Sequence, residues 1–594
     1  MNNRKVLENK DLIFLLKILN KAYNLIDKKL INKFSTHFHI NTEASKIIIR
    51  RNLVPLTYFF FENLLLISKH NKKEKNYTNL INFKYNFNQI EDFEESISKQ
   101  KLNKYFLNFI SNSFYASQKI KNHKLKDYLF IEPKLKIFNN NINNLFKLNH
   151  NFLVTFFLRL EKYFFRFLPI FFRIPTLHLS QLQSVFFKHG WYIFFLKNLN
   201  YKWTCKKASL NKKERLIFFF KILPDNFYLK FLSNSKIKNI NYKLLSQVFD
   251  NFIMNTFPLS FFENFKINLK FANKKIINSK YKVILSSGDF DTNSVFYNCA
   301  AKNNDFKIIK IQHGGYEGYV DKIPKYYEME YITADYFLSW GWNKIINNNN
   351  KTKTKTKTKT KVLPMPSPWL TERKEYFAKA LSKKSIKKYD ILFMPNKIRD
   401  YNLAPSGLNN ANTSTNIYAL QNFKKIVELF SKETFTVYCK FYSEKDYIFF
   451  TQNIDKKFQY IHNIHFSKNY DKGLSANIIS QCKLVIWDIP GTGFLECLAT
   501  KIPTICFIDK NILQTHKSTN FIFTKLKNSG IVSYNSNDFL KNINIFMKDE
   551  KKWLFNKKRL FAVKKFTYQF ARTNVNWKKI WINKIKNIAL RYEQ

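Results

Sequence analysis

Eleven glycines in 594 residues leave this chain few cheap turns. An average protein carries about 7% glycine, the residue that adopts positive φ without steric cost. Residues 1–275 hold a single one, Gly190. Long Leu, Ile and Phe stretches spaced by Lys and Asn, with so few turn residues, predict helices rather than a many-stranded sheet. Seven of the other ten cluster. Gly288, Gly314, Gly315, Gly318 and Gly341 fall in one stretch, and Gly491 and Gly493 in a second. Such clusters mark backbone that needs positive φ or must come close to a ligand.

The texture changes at Tyr281. KVILS (282–286), KIIKIQ (307–312) and residues 331–340 read as strands, with a helix over 294–302 between the first two. Strand, helix, strand at this spacing predicts a parallel α/β layer. The tract NNNN followed by KTKTKTKTKTK (347–361) cannot bury a core and reads as a solvated linker. Beyond it, DILFM, TFTVYCKF, KLVIW and TICFI alternate with helical stretches as a second α/β unit. The expected division is a helical N-terminal region (1–275), the α/β part of a first domain (276–345), a low-complexity linker (346–385), a Rossmann-like domain (386–545) and closing helices (546–594).

Charge narrows the partners. Lys and Arg number 100 against 42 Asp and Glu, a net +58. Lys, Asn, Ile, Phe and Tyr are abundant together and share A/T-rich codons, so part of that charge reflects composition. It still attracts phosphate-bearing ligands and anionic membranes. No zinc-finger, RNP or basic-zipper pattern is present, so nucleic acid is the least favoured partner. The six cysteines are scattered without metal-ligand spacing, and the N-terminus lacks a signal-peptide cleavage site, predicting a reduced cytoplasmic protein. No stretch reaches 18 uncharged apolar residues. Residues 152–172, aromatic and basic, suit either an interfacial membrane segment or a buried helical hairpin.

The candidate chemistry sits at strand ends. IQHGGYEGY (311–319) follows KIIKIQ, and a glycine pair there lets backbone N–H groups face an anion. His313 at its rim is a candidate base or phosphate partner, with Glu317 close by and Gln312, Gly314 and Gly315 lining the crevice. SSGDFDTN (286–293) places Asp289 at another strand end, as an acid or base or beside a helix cap. WDIPGTGFLECLAT (487–500) reads as strand, loop and helix. Pro490, Gly491, Thr492 and Gly493 precede a helix whose N-terminal N–H groups suit phosphate, and Glu496 suits a sugar hydroxyl. Lys397, Arg399 and Lys440 stand near strand ends, where cations neutralise a diphosphate leaving group.

Together these blocks resemble the GT-B glycosyltransferase superfamily, and most closely a family of transferases from lipopolysaccharide and surface-carbohydrate loci. SSGDFDTN, IQHGGYEGY, LSWGW (338–342) and PGTGFLECLATKIPTI carry the likeness, led by a weaker block FPLSFFENF (257–265). More distantly the pattern is similar to CDP-glycerol glycerophosphotransferases and Kdo transferases. The resemblance implies two facing Rossmann-like domains, with a largely helical N-terminal extension and closing C-terminal helices. It also implies a nucleotide-sugar donor held by PGTGFLE, His313 in the interdomain cleft and a surface-glycan acceptor. No cofactor or metal is expected beyond the nucleotide-activated donor, as the resemblance to metal-independent GT-B transferases implies. A catalytically inactive scaffold of the same fold is the alternative. The expected location is the cytoplasm, peripheral to the inner membrane.

Overall fold

In the computed structural model, the described residues are 9–69, 211–235, 237, 241–276, 283–286, 292–312, 314–320, 333–344, 360–382, 386–398, 413–455, 458, 461–470, 473–509, 513 and 515–590. The expected interfacial segment at 152–172 lies outside them, as do His313, Asp289 and Arg399.

The described part of the N-terminal region is helical, as its scarcity of turn residues predicts. Helices α1 (Asn9–Phe38) and α2 (Thr42–Lys69) form an antiparallel pair. They are followed by α3 (Lys212–Phe219), α4 (Asp225–Asn234), α5 (Tyr242–Thr256) and α6 (Phe265–Ile276). These helices are not a separate body. A continuous apolar core runs from Leu15 on α1 through Phe60 and Phe61 on α2 and Phe249 on α5 to Ile308 in the first sheet. Aromatic edges fill it: Phe60 meets Phe249 at 5.0 Å between ring centroids, and Phe34 meets Phe265 at 5.0 Å.

The FPLSFFENF block has a structural task. Arg215 on α3 forks onto both carboxylate oxygens of Glu263, each at 2.6 Å, and donates to the carbonyls of Met254 (2.6 Å) and Phe257 (2.8 Å). The guanidinium is fully buried, and this satisfied geometry lets the core hold it.

The first sheet is β1 (Val283–Ser286), β2 (Lys307–Ile311), β3 (Tyr336–Ser339) and β4 (Lys361–Pro364), all parallel and in chain order, with α7 (Thr292–Asn303) crossing from β1 to β2. Strand β4 corrects the expected linker. The Lys-Thr tract runs directly into a strand, and Val362 pairs with Phe337 as part of the sheet. Helix α8 (Pro368–Ala380), also inside the expected linker, is capped by Ser367, whose side chain accepts from the Leu370 N–H.

The second unit is Rossmann-like in its strand order. Strands β5 (Tyr389–Met394), β6 (Val437–Lys440), β7 (Ile464–Ser467), β8 (Cys482–Trp487), β9 (Thr504–Phe507) and β10 (Val532–Ser533) are parallel, in the order β10-β9-β8-β5-β6-β7. Counted within the unit this is 3-2-1-4-5-6, the doubly wound order that reverses between its first and fourth strands. The reversal lies between β5 and β8, where Met394 pairs with Trp487. Helices α9 (Thr413–Ser431), α10 (Glu444–Asn453), α11 (Ala476–Ser480), α12 (Thr492–Thr500) and α13 (Asn520–Asn528) connect successive strands. Helices α14 (Ser536–Lys548), α15 (Glu550–Leu554), α16 (Lys557–Phe570) and α17 (Trp577–Leu590) close the chain. They return to the first unit: Arg572 donates its N–H to Trp340 O (3.0 Å), and the Trp581 indole donates to Pro366 O (2.8 Å).

Candidate functional site

The two glycine blocks meet. The chain leaves β2 as a strap, residues 314–320, that crosses to the second unit and rests on the start of α12. Gly315 donates its N–H to Thr492 Oγ1 at 2.8 Å. A Cβ on Gly315 would stand 2.6 Å from Thr492 N, and one on Gly491 would stand 2.5 Å from the Tyr316 hydroxyl. Backbone approach requires glycine at position 315, and the Tyr316 side chain crowds position 491. This revises the reading of Gly315 as an anion cradle, because its amide is committed to the opposite unit. Gly314 tolerates more, since its Cβ would make ordinary contact with Thr492 Oγ1 at 3.6 Å.

Beyond the glycines the strap is buried in the second core. The Tyr319 hydroxyl accepts the Tyr316 N–H (3.0 Å) and donates to Pro490 O, while its ring packs on Phe523, Phe566 and Phe570. Val320 forms an antiparallel bridge with Thr515. Gln312 anchors the other end. Its Oε1 accepts from Trp340 N (2.7 Å) and the Trp342 indole (2.9 Å), and its Nε2 donates to Gly314 O (2.8 Å). The IQHGG and LSWGW blocks are thus two halves of one latch. Glu317 is buried within the strap.

Helix α12 starts at the sheet's reversal point. Gly491 is its N-cap and supplies no side-chain cap, so neighbouring chain, water or a ligand must satisfy the first N–H groups. Gly493 faces inward, and a Cβ there would lie 2.1 Å from the Trp487 ring. Glu496 does not present its carboxylate to a sugar hydroxyl. Its oxygens accept from the Trp369 indole (2.7 Å) and Arg373 Nε (3.0 Å), both on α8. Burial raises its pKa, and the Arg373 charge opposes that shift. Arg373 is itself held by the Leu474 carbonyl and lies over the Phe377 ring at 4.2 Å. This is an interior clamp between α8 and α12.

Asp488, immediately after β8, differs. It is buried, and neither carboxylate oxygen has a side-chain hydrogen-bond partner among the described residues. Burial pushes its pKa up to about 7, opposed in part by the Asn396 backbone amide across the strand reversal. It is the group that sequence reading passed over, taken there only as the end of a strand. The available signal was an acidic residue closing a buried apolar strand, one residue short of Pro-Gly.

The loop after β5 faces it. Ile398 donates its N–H to Asp446 Oδ1 at 2.8 Å, tying the loop to the first turn of α10. That contact holds Lys397 at the exposed rim, with its ammonium 4.6 Å from the Tyr442 ring centroid. Lys445 stands near enough that Lys397 helps to lower its pKa, after desolvation. Lys440, at the end of β6, is buried rather than set at the rim. The structure therefore brings Pro490, Gly491, Thr492, Gly314 and Gly315 together, sets Lys397 on the neighbouring loop, and turns Glu496 away. Among the described residues no three His, Cys, Asp or Glu side chains converge as a metal site.

The family whose profile matches these features, over residues 46–585, is described as LIC12162 family transferase. The chain belongs to that family. The match takes in the helical region as well as the two sheets, more than the motif blocks between 257 and 505. No curated protein sequence matches the chain. Among solved structures it is similar to UDP-GlcNAc 2-epimerase from Methanocaldococcus jannaschii, in complex with UDP-GlcNAc and UDP. Identity is 14%, over 51% of this chain and 80% of that one, with a TM-score of 0.29. In this transferase no helix among the described residues is long and apolar enough to cross a membrane.

Proposed function

We propose that this transferase moves a sugar, or a polyol phosphate, from a nucleotide-activated donor to a surface glycan such as lipopolysaccharide or capsule. The carrying observation is the break in strand order between β5 and β8, the place where open parallel sheets bind ligands. Three features converge on it: the start of α12, the Lys397 loop and the carboxyl of Asp488, which no described side chain meets.

In sugar transfer the acceptor oxygen attacks the anomeric carbon. The bond to the diphosphate oxygen breaks, the nucleoside diphosphate leaves with the electron pair, and the hydroxyl proton passes to a base. The N–H groups and dipole of α12 favour the departing phosphate, and Lys397 adds a mobile cation at the rim. Asp488, with a pKa near neutrality, holds or takes a proton beside the phosphates. His313, which precedes Gly314 in the chain, remains the proposed base on the acceptor side. Donor and acceptor meet where the two units touch, so orientation supplies a large share of the rate. Nucleotide-activated donors place the reaction on the cytoplasmic side.

The test is thermal denaturation against a panel of nucleotides and nucleotide-activated sugars, because a ligand that binds only the folded state raises the midpoint. One nucleotide family should raise it, and Asp488→Asn should keep that shift while losing transfer. If no nucleotide moves the midpoint, the donor assignment fails. Gly493 is unsuited to this test, because any side chain there strikes the Trp487 ring.

A further inference from the structure

The closing helices carry a charge pattern that overall composition does not explain. Every charged side chain from Lys551 to Arg591 is Lys or Arg, and α13, which packs on α16, also lacks Asp and Glu. One face of α16 is core, through Ala562, Phe566 and Phe570. Its other face is not the polar surface expected of a globular protein. Leu560 is 48% exposed and Phe561 49%, and on the adjoining α13 Phe521 is 72% exposed. Lysines arch over these rings. The Lys525 ammonium lies 4.5 Å from the Phe521 centroid and 5.2 Å from that of Phe561, and Lys565 lies 5.8 Å from Phe561.

We infer that the α13–α16 face docks on the surface of an anionic phospholipid bilayer. Exposed aromatic and aliphatic side chains ringed by lysines match an interfacial site, in which rings enter the acyl boundary and ammonium groups remain among phosphates. The absence of carboxylates removes the repulsion that such a surface would otherwise meet. Leu560 separates this occupant from single-stranded nucleic acid. Bases stack on aromatic faces, whereas a solvent-exposed leucine beside Phe561 gains little from a base and much from hydrocarbon. The inference does not rest on the transfer reading, since no nucleotide or catalytic residue enters it.

The experiment is co-sedimentation of the full chain with vesicles of phosphatidylcholine alone, and of phosphatidylcholine mixed with phosphatidylglycerol. Binding is expected to the mixed vesicles only, weakening as salt rises. Each lysine near an anionic surface multiplies partitioning about fivefold, so Lys525→Gln with Lys565→Gln should lower it about 30-fold. Phe521→Ser with Phe561→Ser keeps the charge and should also release the chain. An unchanged thermal midpoint in both variants shows that the fold is intact. Wild-type vesicle binding by the phenylalanine variant overturns the proposal. So does binding of single-stranded RNA, but not vesicles, through these residues.

Discussion

Two buried carboxylates flank the PGTG loop, and they have opposite surroundings. Glu496, inside α12, is met by an indole N–H and a guanidinium from α8, and both its oxygens are used. Asp488, before the loop, is as deeply buried and is met by no side chain among the described residues, only by the backbone amide of Asn396. A carboxylate moved out of water costs several kcal/mol unless its lone pairs are matched. Glu496 is matched by the fold itself, so its presence is explained by packing. Asp488 leaves that cost outstanding at the crevice where a ligand is expected. Burial alone therefore does not distinguish a structural acid from a chemical one, whereas partner count does.

The largest effect separating the two should come from Glu496→Ala. It strands the Arg373 guanidinium, whose side chain is only 16% exposed, and breaking a buried pair typically costs about 3–5 kcal/mol. Urea denaturation should show that loss with the slope unchanged. Glu496→Gln, which retains an acceptor for the Trp369 indole, should recover part of it. A variant as stable as the parent would mean that the clamp is not a clamp.

Asp488→Asn should move stability in the other direction, and only above mildly acidic pH. The folded pKa near 7 lies above the unfolded value of about 3.9, so between those values the folded state holds more protons. Stability thus falls as pH rises through that window, by at most about 4 kcal/mol for this group. Asp250 on α5 is also raised to about 7 by burial, although it accepts the N–H groups of Lys221 (2.6 Å) and Ile222 (3.0 Å). The asparagine variant should therefore flatten the slope in part, leaving the contribution of Asp250. An unaltered pH profile would place the Asp488 carboxyl in contact with water or a cation.

Much of this arrangement was legible in the sequence, and what escaped did so for physical reasons. The strands KVILS, KIIKIQ, DILFM, KLVIW and TICFI are short β-branched or apolar runs between turn signals, and each is a strand in the fold. Strand β4 was hidden because its sequence, KVLP, emerges from the Lys-Thr tract and gains its order from pairing with β3 rather than from its own pattern. The glycine clusters correctly marked backbone under close approach. A single sequence cannot show that the approaching partner is the other cluster, 177 residues away, instead of a ligand. Glu496 looked available because its spacing from Gly491 is that of a ligand-facing turn. Its true neighbours, Trp369 and Arg373, lie in a stretch read as linker.

The strap offers a smaller and more local test of the same contrast. Gly315→Ala puts a methyl group 2.6 Å from the Thr492 amide nitrogen, an approach that backbone cannot relieve without parting the two units. Overpacking of this kind costs about 1–3 kcal/mol. Gly314→Ala, with only an ordinary contact to Thr492 Oγ1, should be close to neutral. Equal losses at the two positions would point to a conformational requirement of the turn instead of contact with α12.

Lys397→Ala should have the smallest effect on stability and a clear one on binding. Its side chain is exposed and its one described contact is the Tyr442 ring, so removing it should change the unfolding free energy by under about 1 kcal/mol. Charge-assisted contact with a phosphate is worth about 1.5–3 kcal/mol. The variant should therefore bind the stabilising nucleotide about 10- to 100-fold more weakly by calorimetry, at an unchanged melting midpoint without ligand. Asp446→Ala, which releases the Ile398 N–H and with it the loop, should weaken binding while lowering stability as well. A nucleotide that binds Lys397→Ala as tightly as the parent would move the phosphates away from the β5 loop, and leave the start of α12 and Asp488 to hold them.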